Sequence, residues 1–210
     1  MAKSVLGKKT TFYMADKVST GTQTYTQVAN IRSIGDVSVS STSIDVTEYG
    51  DGMNREYIAG LGETTDMTLS LASMSPSIEA FETAYDNATE QAIKIVLPSG
   101  KVLKFDGVIT AFTYSIPVDG AYQFNATIKP SGKMTRAYQI SFDANGGTGT
   151  MDTIEAAYNG TVIIPASTFT APDTKTFKTF NTQKDGQGTD YDPADTMTVT
   201  GAVTLFAIYE

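Results

Sequence analysis

Apolar residues alternate with small or polar ones in runs such as Val37 to Val46, Met67 to Leu71, Ala92 to Leu97, Val102 to Phe105 and Tyr122 to Ile128. Successive side chains of an extended strand point to opposite faces, so this period of two predicts half-buried antiparallel strands. Between two of the runs, Leu97-Pro98-Ser99-Gly100-Lys101 sets a proline and a glycine where a chain reverses, which predicts a hairpin. One stretch follows the helical period instead. Ile78, Phe81 and Tyr85 recur at i, i+3 and i+7, Pro76 suits a first helical position, and Ser75 is placed to cap. The stripe predicts a helix packing one face on a sheet.

Two segments break the alternation. Thr47 to Glu63 is long, rich in glycine and mixed in charge, with a good strand on either side. It is too long for a tight turn, and loops of that length inside compact domains tend to carry function, which makes it the first candidate for a contact surface. Near Lys129-Pro130-Ser131-Gly132-Lys133-Met134 the strand pattern stops, and a new strand is predicted over Tyr138 to Phe142. A domain boundary there divides the chain into 1–134 and 135–210. A chain of 210 residues is near the size at which one core becomes two.

Composition narrows the chemistry. At 40% hydrophobic and 18% charged residues the chain can pack a core. Cysteine and histidine are both absent, which removes disulfides, thiolate nucleophiles, Cys/His zinc sites and every triad that needs an imidazole. The formal net charge is −8, with 11 basic against 14 acidic residues up to Met134 and 4 against 9 after it. Both parts are acidic, which argues against gripping nucleic acid, whose affinity comes largely from cations on phosphate. Lys3, Lys8 and Lys9 are followed by no apolar stretch, so no export signal is expected. No apolar run approaches the roughly 18 residues of a membrane span.

Remaining polar clusters read as ordinary surface. Asp185, Asp190, Asp192 and Asp195 lie in a glycine-containing stretch, but their spacing fits no EF-hand loop and turn chemistry accounts for them better than calcium. Glu48, Asp51, Glu56 and Glu63 contain enough carboxylates for a glycosidase pair, yet all sit in a polar loop where solvated charge is the ordinary state. Gly50-Asp51-Gly52-Met53-Asn54-Arg55 lacks the text of a phosphate loop. No catalytic residue, metal or cofactor is expected, and the chain does not read as an enzyme.

The order of elements carries a resemblance. A strand with Ile31-Arg32-Ser33-Ile34-Gly35-Asp36-Val37 is followed by Ser41-Thr42-Ser43-Ile44-Asp45-Val46-Thr47 and the long loop with Arg55-Glu56-Tyr57-Ile58-Ala59-Gly60-Leu61. Then come Thr68-Leu69-Ser70-Leu71, one helix and hairpins. Up to Pro130 this resembles the phage major tail, or tail-tube, protein family. From Arg136 to Glu210, Ile140-Ser141-Phe142-Asp143-Ala144-Asn145-Gly146-Gly147-Thr148, Phe180-Asn181-Thr182, Asp185-Gly186-Gln187-Gly188-Thr189 and Val203-Thr204-Leu205-Phe206-Ala207 stand in order. They resemble one bacterial surface B-repeat of the listerial internalin type. Thr179-Phe180 replaces that family's Gly-Trp and Tyr209 its terminal tryptophan.

Together the two resemblances imply an all-β dominated chain. An N-terminal antiparallel β-sandwich or barrel with one flanking helix would precede a small β-grasp-like module centred on Phe142, Val162, Phe177, Leu205 and Tyr209. The tail-tube resemblance implies a virion protein, made and assembled in the host cytoplasm, whose hexameric rings stack into a tube that conducts DNA without binding it. Tape measure and tail terminator or tip proteins would be its partners. The second module would be exposed outside, in weak contact with the host surface, and a chain ending at Met134 would still assemble. Lys8 and Lys9 on the arm from Lys3 to Thr11, with Glu48, Tyr49, Arg55, Glu56, Tyr57 and Glu63 of the loop, are the candidate inter-subunit and inter-ring contacts. The competing reading is a bacterial cell-surface or adhesive protein, which the second module suits and the absent export signal opposes.

Overall fold

Fifteen strands and one α-helix form among residues 9–20, 22–48 and 54–210, the residues that the computed structural model describes. They fall into two compact units. The first comprises Tyr13–Ile93 and Phe105–Lys133, and the second comprises Lys94–Lys104 and Met134–Glu210 with the described residues up to Phe12. Among the described residues no helix is long and apolar enough to cross a membrane.

The first unit is built on β1 (Thr11–Asp16), β2 (Thr26–Gln27), β3 (Ile31–Ile34), β6 (Met67–Ala72), β7 (Gln91–Val96), β8 (Lys101–Ser115) and β9 (Gln123–Asp143), several of which run on into the second unit. Their order is β2-β1-β7-β8-β9-β6-β3. The predicted alternation is directly visible where β6 meets β9. Met67, Leu69 and Leu71 stand opposite Ile128, Ala126 and Phe124, and all six are fully buried. Each large side chain of this set stabilises the fold by about 1.5–3 kcal/mol through the surface it removes from water. The helix α1 (Ile78–Asp86) adds Phe81, whose ring lies 6.1 Å from that of Phe124.

The helix begins after Ser77 and not at Ser75. Ser75 is engaged elsewhere, its hydroxyl donating to the Ala29 carbonyl at 2.7 Å, while the Ser77 hydroxyl accepts the Ala29 N–H at 3.0 Å. Tertiary hydrogen bonds to one backbone unit have replaced the expected cap. The predicted turn at Leu97–Lys101 is present, with the Gly100 N–H donating to the Leu97 carbonyl at 2.8 Å.

β9 differs from expectation. It continues through Pro130 and Gly132 to Asp143, so the strand does not stop where the sequence pattern does. Gly132 adopts a φ of +70°, a conformation that favours glycine, and absorbs the irregularity inside the strand.

In the second unit β15 (Val203–Tyr209) runs parallel to the end of β9, pairing Val203 with Ile140 and Leu205 with Phe142. β12 (Phe177–Asn181) flanks β15, β13 (Asp190–Tyr191) flanks β12, and β10 (Ile154–Ala157) pairs antiparallel with β9. β11 (Thr161–Ile163) and β14 (Thr196–Thr198) form a separate pair. The buried cluster is Ile140, Val162, Ile164, Phe169, Phe180, Met197, Val199, Leu205 and Ala207. Val162 and Leu205 are therefore core as the resemblance implies, whereas Phe142, Phe177 and Tyr209 are half-buried around it. Phe180 lies at the centre, with the rings of Phe142, Phe169 and Phe177 at 5.2, 6.5 and 4.9 Å.

Candidate functional site

The C-terminal part of the segment expected as a long loop is a strand. β4 (Val39–Asp45) and β5 (Tyr57–Thr64) pair antiparallel, from Val39 opposite Thr64 to Asp45 opposite Tyr57, as a two-stranded sheet of their own. Tyr57 and Glu63, read from sequence as loop residues, are thus strand residues. The reason is a β-bulge: between the pairs Ser41–Gly62 and Ser43–Ala59, the single residue Thr42 faces both Gly60 and Leu61. A Cβ on Gly60 would collide with the Thr42 hydroxyl and lie 3.0 Å from the Thr42 carbonyl oxygen. Glycine here permits close pairing, the opposite of the flexibility its presence suggests in a sequence.

Hairpin β4–β5 buries almost nothing. Ile44 and Ile58 stand directly opposite each other and are 48% and 53% exposed, Leu61 projects from the bulge at 92%, and Val39, Val46 and Tyr57 are also exposed. An isolated two-stranded ribbon is at best marginally stable in water, and its outer edges offer unpaired N–H and C=O groups to another chain.

The connecting end of the hairpin is held by hydrogen bonds. Asp45 Oδ1 accepts from the Thr47 N–H at 3.0 Å and from the Thr47 hydroxyl, while the Glu56 N–H donates to Thr47 Oγ1 at 2.9 Å. The Thr47 hydroxyl and N–H hold the Asp45 carboxyl below its ordinary value. Arg55 Nη1 reaches Asp45 Oδ2 at 3.5 Å, an exposed pair of small energetic weight.

The structure brings Arg55, Glu56 and Tyr57 together at this end, with Glu48 on the other strand's continuation. It places Glu63 opposite Ser40, about 20 Å along the strand from Tyr57. Lys9 is exposed just before β1. Lys8, Tyr49 and Asp51 lie outside the described residues, as do Lys3 to Gly7 of the terminal arm and Gly50 to Met53 of the loop.

A second exposed apolar region escaped the sequence reading. At the far end of β8 and the start of β9, Phe112 lies 5.2 Å from Tyr85 of α1 and 6.2 Å from Tyr114, and Tyr114 lies 6.2 Å from Tyr122. The Tyr114 hydroxyl donates to Glu82 Oε1, and that hydrogen bond pushes the phenol up to about 12. Beyond the rings, Ile116 and Val118 project at 77% and 102% exposure. The signal available in sequence was the repeated aromatic at Phe112, Tyr114, Tyr122 and Phe124, two residues apart on each side of a Pro-Val-Asp-Gly turn.

The acidic stretch of the second unit is spent on turns. Asp185 Oδ1 accepts the Gln187 N–H at 3.1 Å, Asp195 Oδ2 the Asp192 N–H at 2.8 Å, and Asp190 Oδ1 the amide of buried Asn181 at 2.6 Å. Of the carboxylates that could have formed a glycosidase pair, Glu56 and Glu63 sit at opposite ends of an exposed ribbon.

A family model described as phage tail tube protein matches residues 7–136, more than half of the chain. The chain belongs to the phage tail tube protein family. A second model, the Listeria-Bacteroides repeat domain, matches residues 138–208 of this tail tube protein. No curated protein matches it in sequence.

Solved structures share the fold. A chain in the six-fold symmetrised cryo-EM structure of the anti-feeding prophage baseplate superposes with a TM-score of 0.53 at 10% identity, over 65% of this chain and 97% of that one. The tail of an empty gene transfer agent particle, refined with C6 symmetry, gives 0.52 at 16% identity over 63% and 98%. The native gene transfer agent virion gives 0.51 at 15% identity over the same shares. At such identities the likeness is one of fold.

Proposed function

We propose that copies of this tail tube protein close into hexameric rings that stack into the tube of a phage tail, with DNA passing through the lumen. The observation that carries the reading is hairpin β4–β5, a two-stranded ribbon with free edges and six exposed large apolar side chains, which a lone subunit leaves uncovered. Its residues Glu48, Arg55, Glu56, Tyr57 and Glu63, with Tyr49, are the subunit or ring contacts, joined by Lys8 and Lys9 of the terminal arm. Six-fold symmetry is taken from the neighbours solved with it. A net charge of −8 suits a lumen that repels phosphate and lets DNA slide. The role is structural, with no catalytic step and no cofactor.

Residues 1–134 form the tube module and 135–210 a decoration of the listerial internalin B-repeat type. Exposed outside the tube, the decoration touches the host envelope weakly but many times, and repetition along the tube supplies avidity. Tape measure, terminator and tip proteins complete the assembly in the virion.

Negative-stain electron microscopy across protein concentration, with light scattering to count subunits, tests the reading. Rings or hollow tubes are the expected result. A persistent monomer at every concentration overturns self-assembly and favours a cell-surface adhesive role instead.

A further inference from the structure

We infer that the aromatic end of the first unit, formed by Tyr85, Tyr114, Tyr122, Ile116 and Val118, is the surface that receives hairpin β4–β5 of a second copy. The inference rests on the ring reading and names the two faces that meet within it.

A ring closed by rotation uses heterologous contacts, in which one patch of a subunit meets a different patch of the next. Each copy must then carry two unlike surfaces that suit each other. Of the fifteen exposed large hydrophobic residues among the described ones, six lie on hairpin β4–β5 and five at the aromatic end. The other four, Val18, Met74, Tyr158 and Ile163, lie on four separate segments and build no comparable surface. Both apolar surfaces belong to the same compact unit, so every copy presents donor and acceptor together.

The receiving face is preorganised. Phe112 packs edge-on against Tyr85 and Tyr114, and the Tyr114 hydroxyl is tied to Glu82, so the rings lose little freedom when a partner covers them. Aromatic residues are enriched at interfaces for this reason. Charge argues for apolar burial as the driving term. Among the described residues the hairpin carries Asp45, Glu48, Glu56 and Glu63 against Arg55, and the aromatic end carries Glu82, Asp86 and Asp119, so the two rims have the same sign. Ion pairing therefore does not hold these faces together.

The chain has no cysteine, which makes a disulfide trap specific. Leu61→Cys and Val118→Cys are made separately in the full chain, each at a position so exposed that folding is not at stake. One variant carries an affinity tag. The two are mixed, oxidised and run on a non-reducing gel, with the same samples imaged by electron microscopy and Ile163→Cys as the control for chance collision. The expected result is a covalent dimer holding one copy of each variant, at least tenfold above either variant alone and above the control. Rings without that mixed dimer overturn the pairing and leave the ring reading intact. Wild-type protein that forms no rings, with no mixed dimer, overturns the ring reading and the pairing with it.

Discussion

Glu155 on β10 holds Lys104 on β8, with Oε2 2.6 Å from Nζ. The other carboxylate oxygen lies 3.3 Å from Lys94 Nζ on β7, and the Glu155 side chain is only 15% exposed. One carboxylate of the repeat thus joins two strands that belong, by family, to the tube module. All three residues are members of the second compact unit.

Removing that carboxylate should leave two ammonium groups in a poorly hydrated place. Glu155→Gln is expected to cost about 2 kcal/mol, less than a fully buried pair because Lys104 remains partly wet. Burial pushes the Glu155 carboxyl up, but Lys104 and Lys94 outweigh it and hold the group below its ordinary 4.5. A depressed folded value means that the contribution is fully present above about pH 4.5 and is lost as pH falls through the folded value. Denaturant melts at pH 7 and at decreasing pH check this. The Gln variant should be weaker at neutral pH and should approach the wild type in acid; a constant difference at every pH refutes the ion-pair account.

Gly60 and Thr42 make the hairpin testable apart from the core. Gly60→Val drives a branched side chain into the Thr42 hydroxyl and carbonyl oxygen and disrupts the bulge. Because β4 and β5 supply no buried residue, the unfolding free energy of the unassembled chain should change little, by no more than about 0.5 kcal/mol. Assembly, read by light scattering, should fall sharply. Normal tubes from a variant whose hairpin is disturbed would remove the hairpin from the contact.

How legible these features were in sequence depends on what enforces them. Alternation marked β6 and the buried start of β9 because one face of each is covered, and Pro98-Ser99-Gly100 marked its turn because turn residues act locally. β5 was hidden because Gly60 and Gly62 resemble loop text, although a bulge requires the first of them. The continuity of β9 through Pro130 was hidden because a neighbouring strand, and no local signal, carries the chain onward. Ser75 was misjudged as a cap because its true partner, Ala29, is 46 residues away. Phe180 was passed over as the centre of its core because Phe177, on the same strand, carries the same local signal. The aromatic end needed the fold, since Tyr85 comes from the helix and Phe112 from a strand.

Acidic subunits that join through apolar faces should assemble better in salt. The Debye length shrinks from about 10 Å at 0.1 M to about 3 Å at 1 M, which removes most of the repulsion between like-charged rims while leaving apolar burial in place. Sedimentation across sodium chloride concentrations is expected to show the assembled fraction rising. A fraction that falls with salt would mean that attraction between opposite charges holds the subunits, and Arg55 would then be the first residue to reverse.

The last expectation concerns the boundary at residue 134. The match to the tube family runs to residue 136, but Lys94–Lys104 packs with Met134–Glu210 in one unit. Besides the Glu155 pairs, the Gln139 N–H donates to the Gly100 carbonyl at 2.9 Å, and a Cβ on Gly100 would collide with Ala202. A chain ending at Met134 keeps Lys94, Lys104 and the β7–β8 turn but loses every one of these partners. It is expected to melt at lower denaturant concentration than the full chain and to assemble poorly, whereas sequence alone suggests a self-sufficient module. Measuring both properties on the same preparation separates the alternatives. A truncated chain that melts like the full one and forms tubes shows that the repeat is dispensable to the subunit, while a destabilised chain shows that the repeat completes the fold of the β7–β8 turn.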